Sequence, residues 1–178
     1  MDIVFATNNE NKTREIRNIL GSSFNLLSLT DLNINEDIPE NEPTLEGNAL
    51  HKARHVHKML NMNVFADDTG LEIDMLNGLP GVKSARFAGE NKNSDANIEK
   101  VLVMMGKSKN RKARFRTVIA LIMEGMEYLF EGIVDGMIIT YRRGTDGFGY
   151  DPVFIPEGEL SSAGDEKEAI RKIFSISP

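Results

Sequence analysis

An α/β fold is predicted for this chain, and three observations predict it. An apolar run, Asp2-Ile3-Val4-Phe5-Ala6, is followed at once by a polar loop and then by a helical pattern. Residues Thr44 to Asn61 place Ala49, Ala53, Val56 and Leu60 at i, i+4, i+7 and i+11, which makes one buried stripe on a helix. Further apolar runs of strand length recur at Asn63 to Ala66, Leu71 to Leu76 and Lys112 to Ile122. With 178 residues the chain is long enough for a single domain, residues 1–178, with a sizeable core, or for a compact pair of lobes.

Composition narrows the function classes. The formal charge of −6 argues against a protein that coats nucleic acid. The chain has no cysteine, which excludes disulfides, cysteine zinc sites and a thiol nucleophile, and fits a reducing cytoplasm. No basic segment followed by a long apolar one opens the sequence, so no signal peptide is expected. No apolar run approaches the length of a membrane span, so a cytoplasmic location and no membrane partner are expected.

The first strand leads into Thr7-Asn8-Asn9-Glu10-Asn11-Lys12 and a helix with Ile16, Ile19 and Leu20 on one face, stopped by Gly21. A polar loop between strand and helix can cradle a phosphate on backbone N–H groups, with Lys12 as an added point charge. It lacks the glycine-rich P-loop spacing, and it reads equally as an Asn-rich capping turn with a surface lysine. Phe24 to Leu29 is the second strand. Asn35 to Glu42 is an acidic, Pro-containing loop with Glu36, Asp37, Glu40 and Glu42. Alone it is solvated; beside a metal, one of its carboxylates becomes a ligand.

The helix from Thr44 carries His51, His55 and His57. His51 and His55 have the i, i+4 spacing of a metal pair, but they lie opposite the buried stripe beside Arg54 and Lys58, so a solvated face is expected. Lys52 flanks the stripe and can reach a groove. The run Phe65-Ala66-Asp67-Asp68-Thr69-Gly70-Leu71 follows. Here a buried strand delivers Asp67 and Asp68 to its end, Thr69-Gly70 breaks it, and Leu71 to Leu76 begins a second strand. Strand alternation points the two carboxylates in different directions, one to a site and one to hold the turn. Paired carboxylates suit a hard cation such as Mg²⁺; the other reading is a solvated Asp-Asp turn.

Asn77 to Gly81 is a turn cluster, and Val82 to Gly89 is irregular. Asn93 to Met105 reads as a helix with Ile98, Val101, Leu102 and Met105 inward and Gly106 as its stop; Met104-Met105 reads as core filler. Lys112 to Ile122 is a long strand with Arg114 and Arg116 outward. Gly125 turns it, Glu127 to Gly132 pairs back, and Val134 to Ile139 continues the sheet. Gly144-Thr145-Asp146-Gly147-Phe148-Gly149-Tyr150-Asp151-Pro152 brings glycines, aromatics and an aspartate together. That loop suits a flat base stacked on an aromatic, or a Gly-rich hairpin with aromatic plugs. Asp165 to Phe174 reads as a terminal helix.

Six stretches stand in order: Ala6 to Lys12, Glu46 to Ala53, Ala66 to Leu71, Gly78 to Gly81, Ser84 to Gly89 and Gly147 to Pro152. As an ordered set, from about residue 3 to about residue 156, they resemble the inosine/xanthosine triphosphate pyrophosphatase family, whose members clear non-standard purine nucleotides. The resemblance implies an elongated mixed β-sheet flanked by helices, an ITPase-like, anticodon-binding-like α/β architecture with two lobes and a central cleft. It implies a homodimer, Mg²⁺, and hydrolysis of ITP, dITP or XTP to monophosphate and pyrophosphate. By motif position, Thr7, Asn8, Asn9, Glu10, Asn11 and Lys12 match the triphosphate loop and Lys52 a second phosphate lysine. Glu40 and Asp68 match metal ligands, with Asp68 also the general base. Thr69 falls where the family has a substrate-contacting serine, and Phe148, Gly149, Tyr150, Asp151 and Lys167 match the base and sugar side. The sequence departs after Gly158 and after Lys167, where the family carries further residues including a Ser-His-Arg motif that reads the purine. Base selectivity is therefore open, while the phosphate chemistry is not. Two other readings are a Maf-type nucleotide pyrophosphatase, disfavoured by Phe148 to Asp151, and a non-catalytic nucleotide-binding module, disfavoured by Asp67, Asp68 and Glu40.

Overall fold

A computed structural model of the chain describes residues 1–21, 24–36, 38–143 and 149–158, without the side chain of residue 11. The elements are β1 (Asp2–Phe5), α1 (Glu10–Leu20), β2 (Asn25–Ser28), α2 (Leu45–Leu60), β3 (Val64–Ile73), β4 (Pro80–Gly81), α3 (Ser94–Met105), β5 (Lys112–Met123), β6 (Met126–Ile138) and β7 (Phe154–Pro156). They form a mixed α/β fold. The sheet order is β2-β1-β3-β5-β6-β7, with β4 paired to β3. β1 runs parallel to both β2 and β3, whereas the β3–β4 and β6–β7 pairs are antiparallel.

The chain divides into two compact units. Among the described residues, one holds those of 1–68 and 117–131; the other holds those of 69–116 and 132–158. The first unit packs Ile3 and Phe5 of β1, Ile16 of α1, Leu26 of β2, Phe65 of β3 and Ile119 of β5 into one core. Phe5 and Phe65 stack at 4.4 Å between ring centroids, with the planes 9° apart. That contact follows from the parallel register, which sets Phe5 directly beside Phe65. The second unit buries Leu71, Ile73, Ile98, Val101, Met105, Phe115, Ile138 and Phe154.

Helix α2 forms where its stripe predicts. Thr44 is its N-cap, accepting from the Gly47 N–H at 3.0 Å, and Asn61 closes it in the left-handed conformation at φ 53°. A cap of this kind contributes about 1 kcal/mol. Ala49, Ala53 and Val56 are fully buried, and small side chains let the helix lie close against the sheet. The histidines face away from that stripe: His55 Nε2 approaches Glu36 Oε1 at 3.3 Å, and the His57 ring nitrogen meets the Met62 carbonyl at 2.6 Å.

Three expectations are corrected. β3 runs unbroken from Val64 to Ile73, so Asp67 and Asp68 sit inside a strand, and no turn follows them at Thr69-Gly70. The sheet on either side accepts this segment as a strand, and pairing outweighs the local turn preference of those residues. Leu71 to Leu76 is accordingly not a separate strand: its second half, Asp74–Leu76, is a 3₁₀ turn. Of the methionine pair only Met105 is core; Met104 is 42% exposed, because neighbours on a helix point about 100° apart. The terminal helix expected at residues 165–174 lies outside the described residues.

Candidate active site

The site is built inside the first unit, from the β1–α1 loop, the loop before α2, the inner face of α2 and the middle of β3. β1 ends by passing its ladder to β3, with the Ala6 N–H donating to the Phe65 carbonyl at 2.8 Å. The chain then turns through Thr7, Asn8 and Asn9. Asn9 caps α1: its Oδ1 accepts from the Lys12 N–H at 3.2 Å, and its own N–H donates to Thr7 Oγ1 at 3.1 Å. The capping turn expected from the sequence is present, and an anion bound at this turn would compete with Asn9 for the Lys12 N–H. The Asn8 side chain donates to the Glu36 carbonyl at 3.1 Å, which ties this loop to the acidic loop. Glu10 is exposed at the start of the helix.

Lys12 points back across the loop end to β3, where its Nζ lies 2.7 Å from Asp67 Oδ2. Both side chains are largely buried, at 16% and 8% exposure. Burial by itself would push the Asp67 carboxyl up; the Lys12 and Lys52 ammoniums reverse this and hold it below the usual carboxylate range. Asp67 is therefore the partner of a lysine and does not hold a turn.

Asp68, on the opposite side of the strand, meets α2. Asn48 Nδ2 donates to Asp68 Oδ2 at 2.9 Å, and Lys52 Nζ lies 3.7 Å from Asp68 Oδ1. Lys52 also donates to Glu40 Oε1 at 2.7 Å, so one ammonium faces two carboxylates. Burial raises the Asp68 carboxyl to about 6; Lys52 and Asn48 oppose the rise, and Glu40 and Asp67 add to it. This is a carboxylate that a nearby cation would readily restore to its ionised form.

The donor set can be tested against a hard divalent cation. Glu40 and Asp68 supply carboxylate oxygens that already converge on one positive charge. Among the described residues no group of three His, Cys, Asp or Glu side chains is arranged to enclose a metal. Two carboxylates with open positions suit Mg²⁺, which keeps several waters and is completed by substrate phosphates.

Of the residues singled out from the sequence, Thr7, Asn8, Asn9, Lys12, Glu40, Lys52 and Asp68 are brought together in this unit. Thr69 follows Asp68 on β3 and is half-buried. Gly149, Tyr150 and Asp151 belong to the second unit. Gly149 takes φ 62°, and the Tyr150 hydroxyl donates to the Ser84 carbonyl at 3.0 Å with its ring buried in that unit's core. Asp151 is 5% exposed. Phe148, Lys167 and the Asn11 side chain lie outside the described residues. Sequence reasoning missed two participants, Asp67 as the partner of Lys12 and Asn48 as the donor to Asp68. Asn48 did leave a signal: a poor helix former one turn before Lys52, beside an apolar stripe.

The chain is similar to known proteins over most of its length. The sequence profile of the Ham1 family matches residues 3–175. The chain is 54% identical over 157 residues to a protein of Flavobacterium johnsoniae named dITP/XTP pyrophosphatase, covering 88% of this chain and 82% of that one. It is 49% identical over 174 residues to a Porphyromonas gingivalis protein of the same name, covering 97% and 90%. Among solved structures, a Staphylococcus aureus Ham1 protein superposes with a TM-score of 0.85 at 36% identity, covering 98% of this chain and 97% of that one. A Coxiella burnetii HAM1 protein gives 0.86 at 34% identity, covering 98% and 94%.

Proposed function

The chain belongs to the Ham1 family, and on that premise we propose that it hydrolyses non-standard purine nucleoside triphosphates, dITP, ITP and XTP, to the monophosphate and pyrophosphate. The names of its relatives support the substrate class. The observation that carries the chemistry is the buried Asp68 carboxylate held between Asn48 and Lys52.

Water attacks the α-phosphorus, the bond from that phosphorus to the oxygen leading to the β-phosphate breaks, and pyrophosphate leaves with that oxygen. Asp68 takes the proton of the attacking water. Its carboxyl at about 6 is ionised near neutral pH, yet it is basic enough to accept a proton as the P–O bond forms. Such general-base help is worth about 10²–10⁴-fold. Lys12 and Lys52 serve the substrate's charge. A triphosphate draws their ammoniums from Asp67 and Glu40, carboxylates that keep both lysines aimed before substrate arrives. Thr7 to Lys12 line the phosphates, and the family resemblance alone gives Thr69, Phe148, Gly149, Tyr150, Asp151 and Lys167 to the sugar and base. Mg²⁺ held by Glu40 and Asp68 would polarise the phosphoryl oxygens and offset the developing charge. The family resemblance supports a homodimer acting in the cytoplasm, and no helix among the described residues is long and apolar enough to cross a membrane.

The test is pyrophosphate release with Mg²⁺ from ITP, XTP, dITP, ATP, GTP and dTTP measured side by side. Fast release from the first three and little from the others is expected. Equal release from all six would refute the purine selectivity, and none from any would refute the hydrolase reading.

A further inference from the structure

We propose that Asn48 is a positioning residue for Asp68: its carboxamide sets which oxygen of that carboxylate faces the reaction, and at the same time fixes the loop that carries Glu40. The proposal rests on the pyrophosphatase reading and deepens it.

Asn48 is 1% exposed on the inner face of α2, between Leu45 and Ala49, which are also buried. A carboxamide buried there is costly unless both of its ends are paired. Both are. Nδ2 donates to Asp68 Oδ2 at 2.9 Å, and Oδ1 accepts from the Glu42 N–H at 3.0 Å. The two neighbours leave the amide one orientation, because a backbone N–H requires an acceptor and an ionised carboxylate requires a donor. Asparagine alone offers one of each at this length. Aspartate has no donor when ionised, and glutamine carries an extra methylene.

The consequence for Asp68 is an asymmetry. Its terminal torsion is broad and two-fold on its own. With Oδ2 held by a neutral donor, Oδ1 is the oxygen that faces Lys52 at 3.7 Å. Oδ1 is then the atom placed to take a proton or a cation. The second consequence lies two residues before Glu42, where Glu40 meets the same Lys52 at 2.7 Å. Asn48 and Lys52 lie one turn apart on one helix face. Asn48 therefore sets the position of both carboxylates that converge on the lysine.

The experiment compares wild type, Asn48→Asp and Asn48→Ala with dITP and Mg²⁺, reading kcat, KM and Tm. Asn48→Asp keeps the volume and the acceptor for the Glu42 N–H while removing the donor. Both variants should lose about 10–100-fold in kcat with KM within about threefold of wild type, the pattern of an interaction that serves the transition state. A second readout needs no turnover: in ¹⁵N–¹H spectra of the metal-free protein, the Asn48 side-chain amide signals should move on Asp68→Ala. If Asn48→Ala does not fold, Asn48→Asp and the spectra decide. A kcat within about twofold of wild type, or kcat, KM and Tm falling together, overturns the proposal. So do amide signals that ignore Asp68→Ala. A wild type that releases no pyrophosphate removes the pyrophosphatase reading and this proposal with it; an active wild type with an unaffected Asn48→Ala removes the proposal alone.

Discussion

Two lysines and three carboxylates of the first unit are paired so that each charge has a neighbour of opposite sign. The pairing dictates how single substitutions behave. Asp68→Asn should reduce kcat by about 10²–10⁴-fold while nucleotide binding stays detectable by calorimetry, and wild-type turnover in that variant would remove Asp68 from the base role. If Lys12 serves ground-state phosphate binding as proposed, Lys12→Ala should raise KM for dITP more than it lowers kcat; an unchanged KM would refute this. The Asp68 carboxyl is raised from 3.8 to about 6, so the folded state favours its protonated form. That stabilising contribution is complete below the unfolded value and lost as pH rises through about 6. Activity runs the other way: kcat/KM should fall as pH drops through about 6, since the base must be ionised. Raising Mg²⁺ should move that acid limb to lower pH, as a bound cation favours the ionised carboxylate. An acid limb that stays fixed while Mg²⁺ is varied would separate Asp68 from the metal.

At the scale of elements, each motif does its work through the element that carries it. α2 presents Asn48 and Lys52 one turn apart, and β3 presents Asp67 and Asp68 to different partners, so the helix and the strand together make a cluster that neither makes alone. The second unit is held partly by the β6–β7 pair, where Gly136 lies opposite Pro156. A Cβ on Gly136 would sit 2.3 Å from the Ile155 carbonyl oxygen and 2.5 Å from the tip of Phe154. Gly136→Ala should therefore destabilise by about 1–3 kcal/mol, read as a lower urea midpoint. A midpoint equal to wild type would show that β7 shifts freely. The helices were the most legible elements in the sequence, because a cap, a periodic stripe and a stop are all local. Thr44, the stripe from Ala49 and Asn61 mark α2 almost to the residue. β3 was not legible in full. Thr69-Gly70 carries a local turn preference, and only the neighbouring strands, distant in sequence, convert it to a continuous strand.

At the scale of the whole molecule, substrate and metal should stabilise the fold by binding the native state alone. dITP with Mg²⁺ should raise Tm in proportion to the logarithm of ligand, whereas dTTP should not, and equal shifts would contradict the selectivity proposed above. The sequence by itself determined the α/β class, the order of the elements, the family resemblance, and the residue types of the phosphate chemistry. All of these are carried by local pattern or by motifs in fixed order. The tertiary structure alone decided the partnerships: Lys12 with Asp67 across 55 positions, and Asn48 and Lys52 with Asp68 across 20 and 16. It also decided that Asp67 holds a lysine while Asp68 is held by an asparagine, a distinction that two adjacent aspartates do not carry in their sequence. The physical reason is that a carboxylate's role is set by what surrounds it, by burial, by the nearest ammonium and by the nearest donor. Those neighbours are fixed by the packing of a helix on a sheet and not by the spacing of residues along the chain.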